Sequence, residues 1–335
     1  MKQIQALRNI FPLHLQKLLE TVTAMDVSVQ KEQRLGAERG TMAVSAENLE
    51  EIRMRAGSPL LLSYSRGERF WDAVSGTLTA HLEAGYRVSS TDIQEVVTRM
   101  SNYSLYAFEE EVRSGFLTIA GGHRVGIAGR VVCEAGKVRT IRPIASLNIR
   151  IAKEKKGCAD AILPQIRRRS VICNTLICSA PGIGKTTLLR DCIRQLSQGT
   201  KEQPGLKVGV VDERSELASC YMGQPQNDLG PRTDVLDGCP KPEGMHLLLR
   251  SMSPQVLAVD ELGSRADYEA VEYALHCGCC LIGTMHGESM EELQKKPYLS
   301  RWLNEGFFER YVFLQKQADG RRSVQIYNER QQLIC

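Results

Sequence analysis

The feature that most constrains this chain is a short glycine loop that joins an apolar strand to an amphipathic helix. The loop runs from Ser179 to Thr187 and reads Ser-Ala-Pro-Gly-Ile-Gly-Lys-Thr-Thr. An apolar run over 171–178 precedes it, and an amphipathic segment follows it. This order of strand, glycine loop and helix is typical of a phosphate-binding loop, in which backbone N–H groups at a helix start point at phosphate oxygens. We therefore expect a P-loop nucleotide-binding fold.

The residue types in the loop suit phosphate chemistry. Gly182 and Gly184 carry no side chain that would keep the backbone away from phosphate. We expect Lys185 to place its charge on the β- and γ-phosphates and the Thr186 hydroxyl to bind Mg²⁺. Ser179 stands where the pattern G-x-x-x-x-G-K-T has its first glycine, at a position that needs a tight turn more than phosphate contact. The sequence thus predicts that ATP and Mg²⁺ bind here, with a cofactor-binding set of Ser179, Ala180, Pro181, Gly182, Ile183, Gly184, Lys185, Thr186 and Thr187.

Polar side chains also follow three further apolar strands, at 207–211, 256–259 and 279–284. Open α/β sheets bind their ligands at the carboxyl ends of parallel strands, so side chains at these ends are expected to share one site. In chain order they are Asp212 with Glu213 and Glu216, then Asp260 with Glu261, and then His286.

The position of these side chains predicts their roles. Asp260 is expected to hold the metal through water, and Glu261 to polarise the attacking water. Because Glu213 ends a neighbouring strand, either it or Glu261 can be the main catalytic carboxylate, and the sequence leaves this open. The predicted catalytic set is Glu261, Glu213, Lys185 and His286, with His286 sensing the γ-phosphate, and the predicted metal set is Thr186, Asp260 and Asp212.

The pattern of strands and helices changes along the chain. Strands alternate with helices from about residue 171, which predicts a mainly parallel sheet and an α/β fold class. In the first half, Thr91 and Gln94 suggest a capping box for a helix to about Ser101, and Ser104 suggests a second helix that ends at Gly115. Three strand-like runs follow, over 116–120, 124–133 and 137–151. We expect a smaller α+β N-terminal domain over 1–160 and a P-loop domain over 161–335.

Composition narrows the possible classes of protein. The 335 residues include 43 Lys and Arg against 39 Asp and Glu, a formal net charge of +4, which gives no argument for a dedicated nucleic-acid or membrane-surface protein. No apolar run reaches the about 20 residues that span a bilayer, and the first residues lack the apolar core of a signal peptide. The 11 cysteines do not suggest a disulfide framework, and Cys277–Cys280 lacks a second pair with zinc spacing. We expect a cytoplasmic protein without direct membrane insertion.

The order of these motifs resembles that of the type II and type IV secretion ATPases, a branch of the RecA-like and AAA+ P-loop proteins. Within that branch, the sequence is most similar to the stage III sporulation protein AA family over roughly residues 48–290. The similarity is carried by YAFEEEVRSGFLTIAGGHRVGIAGR at Tyr106–Arg130, SLNIR at Ser146–Arg150, and the run Val210–Met245 with its segments DERSE, PQND and GPRTDVLDG.

The resemblance implies a RecA-like ATPase that forms a homo-oligomer, a hexameric ring with nucleotide between subunits. It implies recruitment to the cytosolic face of an integral membrane complex made during endospore formation. It places the acidic box on Asp212, Glu213 and Glu216, the Walker-B glutamate on Glu261 and the histidine box on His286. Arginines of the N-terminal domain are implied to reach a neighbour's nucleotide, and the eligible ones are Arg113, Arg124, Arg130, Arg142 and Arg150.

Two other functions stay open at this point. A nucleic-acid-dependent RecA-like ATPase would need a basic stripe with stacking aromatics, and the clustered Tyr103, Tyr106 and Phe108 lie beside the acidic run Glu109–Glu111. Nucleic acid is therefore disfavoured as a partner. A nucleotide-dependent scaffold with little turnover is the other alternative, against which the intact Lys185 and Glu261 speak.

Overall fold

The computed structural model describes residues 2–34, 48–65, 67–101, 115–134, 136–168, 171–317 and 322–335. The chain divides into two compact units, Met1–Lys153 and Glu154–Cys335. The sequence predicts two domains that meet between residues 160 and 161. That boundary stays a prediction. The helix expected between Ser104 and Gly115 lies outside the described residues, apart from Gly115 itself.

In the residues that the structure describes, the first unit combines three α-helices with an antiparallel sheet. The sheet has seven strands in the order β4-β3-β2-β1-β7-β6-β5. Its core holds Phe11, Trp71 and other large side chains that are fully buried. This arrangement confirms the predicted α+β character. The elements are α1 Lys2–Leu7, α2 Leu13–Arg34, β1 Leu49–Arg55, β2 Leu61–Tyr64, β3 Gly67–Asp72, β4 Thr77–Thr79, α3 Ser90–Met100, β5 Phe116–Ile119, β6 His123–Glu134 and β7 Lys137–Arg150.

The N-cap of helix α3 lies two residues before the predicted one. Ser89 is its N-cap: the Ser89 hydroxyl accepts from Asp92 N at 3.0 Å, and the Asp92 carboxylate accepts from Ser89 N at 2.7 Å. The predicted box of Thr91 and Gln94 is therefore wrong. Asp92 is preferred because its buried carboxylate also accepts from the Tyr86 hydroxyl at 2.9 Å, a contact that sequence spacing does not reveal.

The second unit is built on a mainly parallel sheet, as predicted. Its strand order is β12-β11-β13-β14-β10-β15-β16, in which only the β15–β16 pair is antiparallel. The elements are α4 Leu163–Ile166, β8 Arg167–Arg168, β9 Val171–Ile172, β10 Thr175–Ser179, α5 Lys185–Gln198, β11 Val208–Asp212, β12 Thr233–Asp237, α6 Lys241–Ser251, β13 Val256–Val259, α7 Arg265–His276, β14 Cys280–His286, α8 Met290–Gln294, α9 Pro297–Glu305, β15 Arg310–Lys316 and β16 Arg322–Asn328.

The strand predicted over 171–178 is two strands in the structure. β9 pairs with β8, whereas β10 lies in the large sheet between β14 and β15. The chain turns between them because Cys173 N donates to Ile166 O at 2.8 Å and Asn174 N donates to the Glu309 carboxylate at 3.1 Å. An apolar run alone does not show this change of partner.

Both faces of the large sheet are covered. Every residue of β10, β11 and β13 is buried, and two apolar clusters pack against the sheet. Burial on both faces is the usual condition of a parallel sheet whose connections are helices. The polar ends of these strands therefore stand at the edge of a rigid platform. Among the described helices, none is long and apolar enough to cross a membrane.

Candidate active site

The glycine loop lies between β10 and α5, and its backbone explains its residue types. Gly182 and Gly184 have φ values of 75° and 115°, which other residues rarely adopt. A Cβ atom added to Gly182 would meet no atom within 4 Å, so the backbone there is open to a close approach. Ser179 replaces the first glycine of the pattern without strain, because it is the last residue of β10 and is not in the left-handed region.

Lys185 is the first residue of α5, and its side chain folds back over the loop. Its Nζ donates to Ser179 O at 3.1 Å and Ala180 O at 3.4 Å, and lies 3.2 Å from His286 Nδ1. Burial lowers the pKa of the Lys185 ammonium from its ordinary value, against the opposing attraction of Asp260 and Glu261. The charge is thus held at the helix start, where phosphate oxygens would meet it.

Two side chains that carry hard oxygen ligands, Thr186 and Asp260, lie next to Lys185. Thr186 Oγ1 donates to Asp260 Oδ2 at 2.8 Å. The other Asp260 oxygen accepts from the buried Thr284 hydroxyl, which itself accepts from Glu261 N at 2.9 Å. One threonine therefore fixes both carboxylate-bearing residues that follow β13. A hydroxyl and a carboxylate in contact are a suitable partial ligand set for Mg²⁺, which completes its shell with phosphate and water.

Glu261 is held between two cationic or titratable groups. Its Oε2 accepts from Arg214 Nη1 at 2.5 Å, and its Oε1 lies 3.4 Å from His286 Nε2. Because the other nitrogen of the His286 ring lies near Lys185, this histidine connects Glu261 to Lys185. The structure thus brings together Lys185, Thr186, Asp260, Glu261 and His286.

The acidic box after β11 has a different set of contacts. Asp212 is buried, and its two carboxylate oxygens accept from Glu216 N at 2.8 Å and Ala218 N at 2.7 Å. Burial raises the pKa of this carboxyl. Glu213 Oε2 accepts from Lys241 Nζ at 2.5 Å. Both residues line the same cleft as Asp260 and Glu261, but only Glu261 contacts the histidine that touches Lys185.

Several residues at the site were not found by sequence reasoning. These residues are Thr284, Arg214 and Lys296. Lys296 Nζ donates to His286 O and so supports the end of β14. Their contacts join residues far apart in the chain, and no local spacing marks them. A polar residue at a strand end, as with Thr284, was the one available signal.

The predicted in-trans arginines lie in the first unit, with Arg113 outside the described residues. Arg124 stacks over the Phe116 ring at 4.4 Å, and Arg150 lies 3.6 Å from the Glu51 carboxylate. Arg130 and Arg142 are exposed on β6 and β7.

The family described as "Sporulation stage III, protein AA" matches residues 8–334. The chain belongs to the stage III sporulation protein AA family. Its relative of that name from Bacillus subtilis (strain 168) is 44% identical over 281 residues, which is 84% of this chain and 87% of the relative. The resemblance inferred from the sequence motifs is therefore confirmed.

Two solved structures share the fold of this member of the stage III sporulation protein AA family. The ATPase DotB of Legionella pneumophila matches with a TM-score of 0.51 and 17% identity, covering 84% of this chain and 76% of DotB. The pilus retraction motor PilT with bound ADP matches with a TM-score of 0.52 and 14% identity, covering 91% of this chain and 82% of PilT. These matches confirm a RecA-like P-loop core preceded by a smaller α+β domain.

Proposed function

We propose that this chain is an ATPase of the secretion-ATPase type, which hydrolyses Mg·ATP to energise assembly of, or transport through, a membrane complex in endospore formation. The observation that carries the proposal is the contact network of Lys185, Thr186, Asp260, Glu261 and His286 at one edge of the sheet. The family name supports the link to sporulation. The fold shared with PilT supports the assignment as a motor.

The described residues fit ATP and Mg²⁺. The open backbone at Gly182, the start of α5 and Lys185 suit a chain of phosphates. Thr186 and Asp260 would hold Mg²⁺, which supplies charge neutralisation and orients the phosphates when bound. In the described part of the chain no three His, Cys, Asp or Glu side chains form a metal cluster. Mg²⁺ needs none, because phosphate and water provide most of its ligands.

The chemistry assigned to the chain is hydrolysis of the γ-phosphate. Water attacks the γ-phosphorus, the bond to the β–γ bridging oxygen breaks, and ADP and phosphate result. Glu261 orients this water and takes its proton. Lys185 stabilises the negative charge on the phosphate oxygens, and His286 links the state of the phosphate to Glu261. Asp212 and Glu213 keep the acidic loop and α6 in place. The lone pairs of the Asp212 carboxylate that accept no hydrogen bond from this loop would serve its predicted role as a metal ligand.

The proposed setting is cytoplasmic, at the cytosolic face of an integral membrane complex. A homo-oligomeric, hexameric ring is implied by the resemblance to secretion ATPases, and the AAA+ assignment has the same basis. Nucleic acid is not expected to act as a partner.

Measured ATP turnover tests the proposal against its alternatives. We expect the full-length protein to hydrolyse Mg·ATP, the rate to be independent of added single-stranded DNA, and Lys185→Ala to abolish it. Strong stimulation by DNA would instead support a nucleic-acid-dependent ATPase. Tight nucleotide binding with negligible turnover, unchanged by oligomer formation, would support a scaffold.

A further inference from the structure

Arg322 reaches the phosphate loop from a part of the chain that no motif connects to it. It is the first residue of β16, at the end of the sheet. A Cβ atom built on Gly184 would lie 3.0 Å from Arg322 Nη1, 3.3 Å from Cζ and 3.5 Å from Nη2. Because three atoms of the guanidinium group lie at similar distances, the group rests against the last glycine of the loop.

The charges around Arg322 make this an unfavourable place for a cation alone. Gly184 is the N-cap of α5, a helix of 14 residues, and a helix N-terminus carries a partial positive charge. The next residue is Lys185, a second cation. Within the described ranges, no carboxylate forms an ion pair with Arg322, whereas Arg214 at the same site pairs with Glu261. A bound anion would supply the missing negative charge.

The sheet order shows from which side Arg322 approaches. Strand β10 leads into the loop and has β14 on one side and β15 on the other. His286 ends β14, and Asp260 follows the next strand on that side. Arg322 belongs to β16, beyond β15 on the opposite side. Arg322 therefore approaches the loop from the side opposite to His286 and Asp260, the residues proposed to act at the γ-phosphate and the metal.

We propose that Arg322 is a nucleotide-binding residue that acts in cis, its guanidinium group pairing with the α- and β-phosphate oxygens that ATP and ADP share. The inference rests on the proposed function, because it needs a nucleotide in the loop. A planar guanidinium can donate two parallel hydrogen bonds to phosphate, which a lysine cannot. Arg322 thus sets affinity for the nucleotide, while Glu261 sets its hydrolysis.

The test compares nucleotide affinity of Arg322→Ala with that of Lys316→Ala. Lys316 lies directly opposite Arg322 in the hairpin and is exposed, so its variant removes the same charge from the same element. Binding of Mg·ADP and Mg·ATP to the full-length protein is measured by calorimetry, with ATP in a Glu261→Gln background. We expect Arg322→Ala to weaken both nucleotides about 10-fold or more, since a hydrogen bond to a charged group contributes on this scale. Lys316→Ala should change affinity less than about 2-fold.

Further measurements separate binding from folding and from the proposed function. The melting temperature without nucleotide should be no lower for Arg322→Ala than for the wild type, and Arg322→Lys should recover only part of the affinity. Unchanged affinity, or a loss equal to that of Lys316→Ala, would overturn the role of Arg322. Weakened ATP with unchanged ADP would overturn its placement at the shared phosphates. If the wild type itself binds no nucleotide, the proposed function fails instead.

Discussion

Glu261 has a backbone conformation that few residues of its type adopt. Its φ is 52°, in the left-handed region, where a long side chain is uncommon and costs about 1–3 kcal/mol. The Thr284 hydroxyl accepts the Glu261 N–H at 2.9 Å and so fixes the turn. This turn directs the carboxylate toward His286 rather than along the strand. A strained residue held by a buried partner is consistent with a role in chemistry rather than in stability.

The first prediction compares the two candidate carboxylates. We expect Glu261→Gln to bind ATP and to hydrolyse it at least about 100-fold more slowly, because an amide keeps the shape but cannot take a proton. Glu213→Gln is the matched control, since Glu213 lies in the same cleft but pairs with Lys241. Single-turnover rates of both variants decide the assignment. A larger loss in Glu213→Gln would move the catalytic base to the acidic box.

The second prediction concerns the charge of Lys185. Burial lowers its pKa from the ordinary 10.5, so between the two pKa values the unfolded chain holds more protons than the folded one. The charged Lys185 side chain therefore lowers the free energy of unfolding at neutral pH, and this cost disappears as pH rises toward 10.5. We expect Lys185→Ala to abolish turnover without lowering the free energy of unfolding at pH 7.

The control is the difference in the free energy of unfolding between Lys185→Ala and the wild type, measured as a function of pH. Relative to the wild type, Lys185→Ala should be most stable near neutral pH and lose that advantage as pH approaches 10.5. Denaturant unfolding of both proteins at several pH values measures this. A variant that is destabilised equally at all pH values would show that Lys185 supports the fold through packing rather than through its charge.

Among the elements, the loop after β11 depends on one buried carboxylate. Asp212 accepts two backbone N–H groups of that loop, and Arg190 of α5 donates to Glu216 O at 2.7 Å and Leu217 O at 2.9 Å. The acidic loop is thus tied to its own strand and to the helix that begins at the phosphate loop. This makes Asp212 a structural anchor of the cleft.

The third prediction follows from these contacts. We expect Asp212→Asn to lower the free energy of unfolding by about 1–3 kcal/mol, because one acceptor oxygen becomes a donor facing a buried N–H. Glu213→Gln, whose side chain is partly exposed, should change it by less than about 0.5 kcal/mol. Chemical denaturation of both variants without nucleotide checks the difference. Equal stability of the two would contradict the anchoring role of Asp212.

The elements that the sequence predicted well are those with a strong local pattern. Strands β11, β13 and β14 fall within two residues of the predicted ranges 207–211, 256–259 and 279–284. Strand β12 was not predicted, because its residues 233–237 contain two acidic and only two apolar side chains at a half-buried edge of the sheet. The N-cap of α3 was misplaced because local spacing does not reveal the hydrogen bond from the Tyr86 hydroxyl to the Asp92 carboxylate.

The candidate site was predictable in its parts but not in its connections. Strand ends and the glycine loop gave Lys185, Asp260 and His286 from local pattern alone. The path from Lys185 through His286 to Glu261 depends on which strands are neighbours, and this order appears only in the folded sheet. The approach of Arg322 to Gly184 depends on the same order.

For the whole molecule, the question is whether one subunit's site is complete. All residues of the proposed site lie in the unit Glu154–Cys335, while the eligible arginines lie in Met1–Lys153. Arg130 and Arg142 stand on the parts of β6 and β7 that extend beyond their pairing with β5 and β1. Exposed arginines on such an extension are suited to contact a neighbouring copy.

The last prediction tests whether an arginine completes a neighbour's site. The double variant Arg130→Ala/Arg142→Ala keeps an intact phosphate loop, and Lys185→Ala keeps both arginines. If arginines act in trans, the double variant should lose about 10³-fold in turnover, as arginine fingers do. Mixing it with inactive Lys185→Ala should restore activity, because mixed rings place an intact arginine beside an intact loop. Turnover per subunit of the wild type should also rise with concentration. Sharing of the site would be contradicted if the two variants stay inactive when mixed under conditions where light scattering shows mixed oligomers. A wild-type rate per subunit that is constant down to the monomer would contradict it as well.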